Sequence, residues 1–89
     1  MTIYKQKNNF PHVKIFWSDI QSSNEAWIEE QDILKEDTAY CCDTGFIFKK
    51  NSEKLWLFTS YSYDKKKNLS IGGLTVFPIG CIKKIERIK

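Results

Sequence analysis

The sequence predicts a mainly β domain in which five strands close into a small barrel. Two observations lead to this class: runs of β-branched and aromatic residues recur along the chain, and glycines interrupt two of the longer runs. The chain has 89 residues, enough for one domain with a thin margin of stability. Six Phe, four Tyr and three Trp supply the large side chains that such a core needs.

The domain organisation predicted from composition is simple. Residues 1–9 are polar and rich in Asn and Lys, so we expect a flexible N-terminal arm there and a single domain over residues 10–89. The chain contains no repeat and no Pro/Gly-rich linker that would divide it further.

The first strand is predicted over residues 12–17. Side chains alternate across a strand, so Val13, Ile15 and Trp17 fall on one face. We expect that face to contribute to the core.

A short helix is predicted after this strand, within residues 24–35. Capping residues at positions 22–24 precede it, and acids in a first helical turn suit the positive end of the helix dipole. The apolar residues expected to face the core are Trp27, Ile28 and either Ile33 or Leu34.

Strand signals dominate the rest of the chain. Residues 38–49 predict one long strand interrupted near Gly45, where a glycine indicates a bulge or bend. A hairpin turn at 50–53 leads to the strongest strand, residues 54–63. Because its first half is apolar on both faces, we expect it to be central or to be covered by the helix.

The C-terminal third completes the predicted barrel. A basic turn at 64–68 leads to a strand at 69–77, whose internal glycine pair permits a kink. A break at 78–81 then gives a single turn before a final strand at 82–88. Five strands, a glycine-bent long strand and this one-turn break predict a closed SH3-like barrel, which would leave no strand edge exposed.

The cysteine pattern indicates free thiols. Cys41 and Cys42 are adjacent, and Cys81 stands alone, so the three cannot form a complete disulfide framework. Free thiols fit a reducing compartment, and no signal-peptide pattern opens the chain, so we expect the protein in the cytoplasm, that of a host cell for the origin inferred below. No apolar run approaches the roughly 20 residues of a membrane helix, so no membrane partner is expected.

Charge is segregated along the chain although the net charge is only +3. Residues 18–43 carry eight acids against one base, and residues 44–89 carry ten bases against three acids. The two segments either form separate acidic and basic faces or fold together and largely cancel.

No catalytic set is predicted. His12 is the only histidine and has no nucleophile at a defined local spacing, and a metal site lacks ligands. Asp43-Thr44-Gly45 is similar to the signature of aspartic proteases at three residues only, and Phe46 follows where that family has a small residue. We therefore expect no enzyme activity, no cofactor and no metal.

A family resemblance rests on spaced hydrophobic positions between residues 13 and 88. The residues that carry it are Val13-x-Ile15-x-Trp17-x-Asp19-Ile20, the pair Trp27-Ile28, the step Gly45-Phe46-Ile47 and the pattern from Phe77 to Ile85. They resemble short uncharacterised proteins encoded by bacteriophages and prophages. The resemblance implies a phage origin and a compact β fold, and it brings no catalytic residues. A basic residue often follows the proline in that pattern, whereas Ile79 stands here.

One candidate ligand site combines aromatic and basic residues. Aromatic rings can stack on bases, and nearby lysines can neutralise phosphates, as in single-stranded nucleic-acid binders. The residues predicted for this site are Trp56, Tyr61, Tyr63, Lys65, Lys66 and Lys67. The alternative is that Trp56 and Phe58 belong to the core and the lysines form a soluble hairpin tip.

A second candidate is a protein-contact site in the acidic segment. The acids would mimic nucleic acid and occupy the basic site of a host enzyme, with Trp27 as an anchor and electrostatic steering to raise the association rate. The residues predicted for this contact are Trp27, Glu29, Glu30 and Asp32. The alternative is an ordinary amphipathic helix with solvated acids.

The functional expectation joins the phage resemblance to the lack of a catalytic set. We expect an accessory protein that blocks or sequesters a host factor, either an antiviral defence protein or a nucleotide signal. The alternatives are a single-stranded nucleic-acid-binding barrel and a small structural part of a virion. A homo-oligomer is a further expectation, because sheet edges and exposed aromatics on so small a barrel favour pairing.

Overall fold

The structure, a computed structural model, describes residues 10–89, so the flexible N-terminal segment predicted at residues 1–9 lies outside the described part. Seven strands, one short α-helix and one 3-10 helix make up the described fold. The strands are β1 (His12–Asp19), β2 (Ala39–Lys50), β3 (Lys54–Phe58), β4 (Ser60–Tyr63), β5 (Leu69–Gly72), β6 (Thr75–Pro78) and β7 (Ile82–Arg87). The helices are α1 (Glu30–Ile33) and the 3-10 helix Ile79–Cys81.

Five of the strands form one antiparallel sheet in the order β6-β3-β2-β1-β7. The expected closure into a barrel is wrong, because β6 and β7 are the two edges of this sheet and do not pair. β6 has four residues and ends at Pro78, which has no backbone N–H, and the next three residues form the 3-10 helix. The one-turn break before a final strand is confirmed, but β6 and β7 do not run side by side.

β4 and β5 form a separate two-stranded sheet, which we call the arm (residues 60–72). The strand predicted over residues 54–63 is therefore divided at Thr59, and only its first half belongs to the main sheet. The predicted kink at the glycine pair is confirmed, since Gly73 has φ +67° and separates β5 from β6. The N–H of Thr59 donates to the carbonyl of Gly72 at 3.2 Å. The break between β3 and β4 therefore lies beside the break between β5 and β6.

β2 does not break at Gly45, contrary to expectation. It continues for 12 residues, and the register with β3 shifts between Ile47 and Lys49 instead. Gly45 serves another purpose, since a Cβ there would lie 2.5 Å from the carbonyl oxygen of Phe58. The glycine thus permits a close approach of two backbones rather than a bend.

The core lies on one face of the main sheet. Val13 and Ile15 on β1 pack with leucines of β3 and with Phe77 on β6, and Trp17 adds its ring at 5.3 Å from Phe77. The predicted shared face of Val13, Ile15 and Trp17 is confirmed by this packing. The fully or nearly buried members are Val13, Ile15, Leu55, Leu57 and Phe77.

A second, aromatic cluster occupies the opposite face around Phe58. Phe58 is fully buried, and the rings of Phe10, Phe46 and Tyr61 lie 5.2 to 6.1 Å from it. Alternate residues of β3 therefore serve two faces, which explains its continuous apolar run. β3 lies between β2 and β6, so of the two alternatives predicted for its apolar run, the position inside the sheet is confirmed.

The helix after the first strand is a single turn. Its N-cap is Glu29 without a side-chain cap bond, so the predicted capping role of residues 22–24 is wrong. No residue of α1 is buried, and Trp27 and Leu34 beside it are exposed, so the predicted packing of this segment on the core is also wrong. The core is already filled by side chains of β1, β3, β6 and β7.

Candidate functional site

The segment between β1 and β2, residues 20–38, presents large apolar side chains to solvent; we call it the acidic loop. Trp27 is 92% exposed, Leu34 is 95% exposed and Ile20 is 81% exposed. Among the large hydrophobic residues of the part of the chain that the structure describes, these three are the most exposed, and all of them lie in this loop. A tryptophan in this state leaves a large apolar ring in water.

The same loop carries a strong negative charge. Six carboxylates stand against Lys35 alone, which gives the loop a net charge of −5. Lys35 is already paired with Asp32 at 3.0 Å. The remaining acids are Glu25, Glu29, Glu30, Glu36 and Asp37. The segregation seen in the sequence thus produces an acidic surface here.

Local hydrogen bonds give the acidic loop a defined shape. The N–H groups of Asp32 and Lys35 donate to carbonyls three residues earlier, and the N–H of Glu25 donates to the Ser23 hydroxyl at 3.1 Å. At its C-terminal end the N–H of Thr38 donates to the Asp37 carboxylate at 2.7 Å. These bonds hold the turn around α1 and the two short stretches at residues 23–25 and 37–38, and they leave the apolar side chains exposed.

All four residues predicted for protein contact lie in the acidic loop, in or next to α1: Trp27, Glu29, Glu30 and Asp32. Sequence reasoning missed the exposure of Ile20 and Leu34, which lie in the same loop. Leu34 is missed because the predicted helix directs it toward the core. Ile20 is missed because it directly follows the end of the first strand. The usable signal was the absence of a sustained helical period across this segment.

The residues of the second predicted site are divided between the arm and the main sheet. Tyr61 and Tyr63 lie on β4 with ring centroids 6.0 Å apart, and the exposed Lys65, Lys66 and Lys67 form the tip beyond them. Trp56 lies on β3, half-buried, across the break at Thr59. The structure therefore brings five of the six residues together on the arm.

A carboxylate organises the tip of the arm. Asp64 accepts hydrogen bonds from the backbone N–H groups of Lys66 and Asn68, each at 2.8 Å, and from the Asn68 side chain at 3.1 Å. The backbone N–H of Asn68 is the main reason that the pKa of Asp64 lies below its usual value. Lys67 adopts φ +65° to complete the turn.

Side chains that could carry other chemistry are dispersed over the sheet. Cys41, Cys42 and Cys81 are free thiols, and no group of three or more His, Cys, Asp or Glu within residues 10–89 is placed to hold a metal. His12 stacks on Phe46 at 4.6 Å. Asp43 lies within β2 and accepts a hydrogen bond from Trp17 Nε1 at 2.8 Å.

Comparison of the chain with protein-family models, curated protein sequences and solved structures finds no match. Over residues 10–89, no helix has the length and apolar character that crossing a membrane would require.

Proposed function

We propose that this chain is a non-catalytic binding domain that docks onto a basic surface of a partner protein through the acidic loop. The observation that carries the proposal is the exposure of Trp27 within a loop of net charge −5. A ring that is solvated in the free protein gains stability when it enters an apolar slot on a partner.

The two properties of the loop have separate roles in such a contact. Trp27, Leu34 and Ile20 supply apolar area, and a few residues of this kind carry most of the energy of typical interfaces. The acids surround them and accelerate encounter with a basic surface, which raises the association rate more than the final affinity. Hydrogen bonds in the turn around α1 lower the part of the entropy cost that falls on residues 29–36.

The biological form of the proposal is stoichiometric blockade of a host protein by a phage-encoded accessory protein, which would act in the host cytoplasm. It is supported by the resemblance to short phage and prophage proteins and by the docking surface on the acidic loop. A blocker of this kind needs a high-affinity contact and no reacting groups. The proposed target is a basic host protein, with antiviral defence proteins as the first class to test.

The test compares capture of bacterial proteins from a lysate by the wild-type chain and by a Trp27→Ser variant. We expect a partner retained by the wild type to bind the variant about 30-fold more weakly, the effect of losing a typical interface anchor. Tyr40→Ser is the matched control, since Tyr40 is an exposed aromatic on the sheet. Capture of the same partner at equal strength by Trp27→Ser contradicts the proposal.

A charge test addresses the acids separately. Replacing Glu29, Glu30 and Asp32 by lysine is expected to lower the association rate about tenfold or more at low salt. The rate for the wild type should fall as salt rises, and the rate for the triple variant should not. Surface plasmon resonance with the captured partner measures the association rates of the wild type and the triple variant at each salt concentration.

A second candidate function is binding of single-stranded nucleic acid by the arm. The specific observation that favours it is the adjacency of Tyr61, Tyr63 and the exposed lysine tip. Successive bases could stack on the tyrosines while the lysines neutralise phosphates. Trp56 would contribute only if the bound nucleic acid extended from the arm past Thr59 onto the main sheet.

Fluorescence anisotropy with a short oligothymidine measures this candidate. Binding should weaken steeply with salt, with a slope set by the number of neutralised phosphates. Changing Lys65, Lys66 and Lys67 to glutamine should remove most of that slope, and Tyr63→Ala should weaken binding at all salt concentrations. A flat titration excludes the arm as a nucleic-acid site.

A further inference from the structure

We propose that the open edge of the sheet at β6 is a second binding site, which takes an extended protein segment carrying a basic and an apolar side chain. The segment would add to β6 as an extra strand. This proposal goes beyond the acidic-loop function, because its backbone contacts are on β6. It shares the lining residues Ile20, Glu36 and Asp37 with the acidic loop but does not use Trp27.

β6 is an edge strand that is protected only by its short length and by Pro78 at its end. It pairs with β3 on one side, and within residues 10–89 no strand pairs with the other side. Sheet edges are normally guarded by charged residues. β7, the other edge, carries four charged side chains among its six residues, whereas β6 (Thr75–Pro78) carries none. The free backbone groups of β6 are therefore open to an added strand.

A cavity lies between this edge and the end of β1. Its volume is about 280 Å³, and the packed rings of Trp17 and Phe77 form part of its wall. The other lining residues are Ser18, Asp19, Ile20, Thr75, Val76, Pro78 and Cys81. Sites for drug-sized ligands range from about 300 to 1,000 Å³, so this cavity suits one or two apolar side chains of a bound peptide.

Charge defines the second part of the ligand. Asp19 lines the apolar cavity, and a neighbouring cavity of about 230 Å³ is lined by Gln21, Glu36, Asp37 and Thr38. Every charged residue that lines these two described cavities is an acid. A positively charged side chain next to the apolar anchor complements them, and an acidic one is repelled.

The spacing of the ligand follows from strand geometry. Residues two apart on a strand point to the same face, so the basic residue should stand two positions from the apolar anchor. The N–H of Ile79 donates to the carbonyl of Glu53, and hydrogen-bonding direction alternates along a strand, so Phe77 and Thr75 bond to β3 while Val76 and Pro78 face the open side. Pro78 has no N–H to offer, so the added strand should exchange its backbone hydrogen bonds with Val76.

The probe is a fluorescein-labelled peptide, Gly-Ser-Arg-Thr-Leu-Val-Thr-Ser-Gly, titrated to about 1 mM and followed by anisotropy. Saturable binding is expected, with at least about tenfold weaker binding when the Arg is Glu or when the Val is Pro, which removes a backbone donor. Glu36→Gln combined with Asp37→Asn should weaken binding of the Arg peptide about threefold to tenfold. Val76→Lys should place a guarding charge on the edge and weaken binding at least about tenfold.

Cysteine alkylation locates the peptide independently. Cys81 lines the apolar cavity, and Cys42 is an exposed thiol on β2 outside it. Saturating peptide should slow the reaction of Cys81 with iodoacetamide at least about fivefold and leave Cys42 unchanged, as read by mass spectrometry. No anisotropy change, or equal slowing of both thiols, overturns the proposal.

The Trp27→Ser variant separates the two proposals. It should bind the peptide with the affinity of the wild type while it loses capture of a partner protein. If Trp27→Ser abolishes peptide binding, the peptide belongs to the acidic loop and the β6 site is refuted. If Val76→Lys loses peptide binding but retains partner capture, the two surfaces act separately, as proposed.

Discussion

Gly45 lies where β2 passes closest to the backbone of β3. A side chain at this position would meet the carbonyl oxygen of Phe58 at 2.5 Å and Leu57 Cγ at 3.0 Å. The first of these neighbours is backbone, which cannot rotate away. The pairing of β2 with β3 therefore requires a residue without a Cβ atom at position 45.

Gly45→Ala is expected to destabilise the fold by about 1–3 kcal/mol, the range for a group forced into a well-packed site. Urea unfolding followed by circular dichroism measures the change. Gly80→Ala is the matched control, because a Cβ at Gly80 has no neighbour within 4 Å, and it should change stability by less than about 0.5 kcal/mol. Equal effects of the two variants would show that β2 and β3 do not approach closely at Gly45.

Asp64 gives the arm a pH dependence. Its pKa in the folded chain is below the usual 3.8, so its hydrogen bonds contribute fully above pH 3.8 and are lost as the pH falls through the lower folded value. We expect the amide resonances of Lys66 and Asn68 to shift together with a midpoint below pH 3.8. An NMR titration measures the midpoint, and Asp64→Ala should abolish the shared transition. A midpoint at or above 3.8 would mean that the turn does not hold the carboxylate.

At the scale of elements, the arm is a hairpin whose Tyr61 ring packs on the main sheet. Tyr61 contacts Phe46 and Phe58, with ring centroids 6.1 Å away in each case. The core residues of β1, β3 and β6 all lie outside the arm. An isolated two-stranded hairpin is at best marginally stable, so the arm depends on the main sheet rather than the reverse.

Replacing residues 59–73 by Asn-Gly is therefore expected to leave a folded domain. The new turn joins β3 directly to β6 in a tight hairpin. Loss of the Tyr61 ring contacts should cost about 1–3 kcal/mol, because Phe58 loses part of its cover. Dispersed amide resonances in an NMR spectrum check the fold, and thermal unfolding measures the cost. A molten spectrum would show that the arm is required for the main sheet.

The elements differ in how far local sequence determines them. β1 and β7 were predicted closely, because alternation and β-branched residues agree with a half-buried strand. The helix was overestimated, since capping and acidic residues favour a helix only weakly without core packing. The break at Thr59 was missed, because it depends on the partner strand that bends at Gly73.

At the scale of the whole molecule, stability should be concentrated in the centre of the sheet. β1 and β2 have a neighbouring strand on each side, whereas the acidic loop has only local hydrogen bonds. Whether the sheet closes into a barrel could not be predicted from sequence. It depends on how the 3-10 turn between β6 and β7 places these two edge strands relative to each other. Trp27 could be singled out from sequence as a candidate contact residue, but its exposure depends on a core filled by other strands.

Hydrogen exchange tests this distribution of stability. Amides of Ile15 and its neighbours on β1 should exchange only through global unfolding, and those around Trp27 should exchange with little protection. The physical reason is that the loop can open without exposing core surface. Native-state exchange monitored by NMR measures both classes. Comparable protection at Trp27 and Ile15 would show that the loop packs on the domain in solution.

The pairing of β1 with β7 has a consequence for how the chain folds. Val13 lies opposite Arg87, 74 positions further along the chain, so this pairing closes almost the whole chain into one loop. Contacts that are distant in sequence slow folding, and the β2–β3 hairpin, which is local, is expected to form earlier. Until β7 docks, β1 is itself an edge strand with Val13 and Ile15 uncovered. A slow final step at this strand would make the unfinished sheet the species most prone to aggregate.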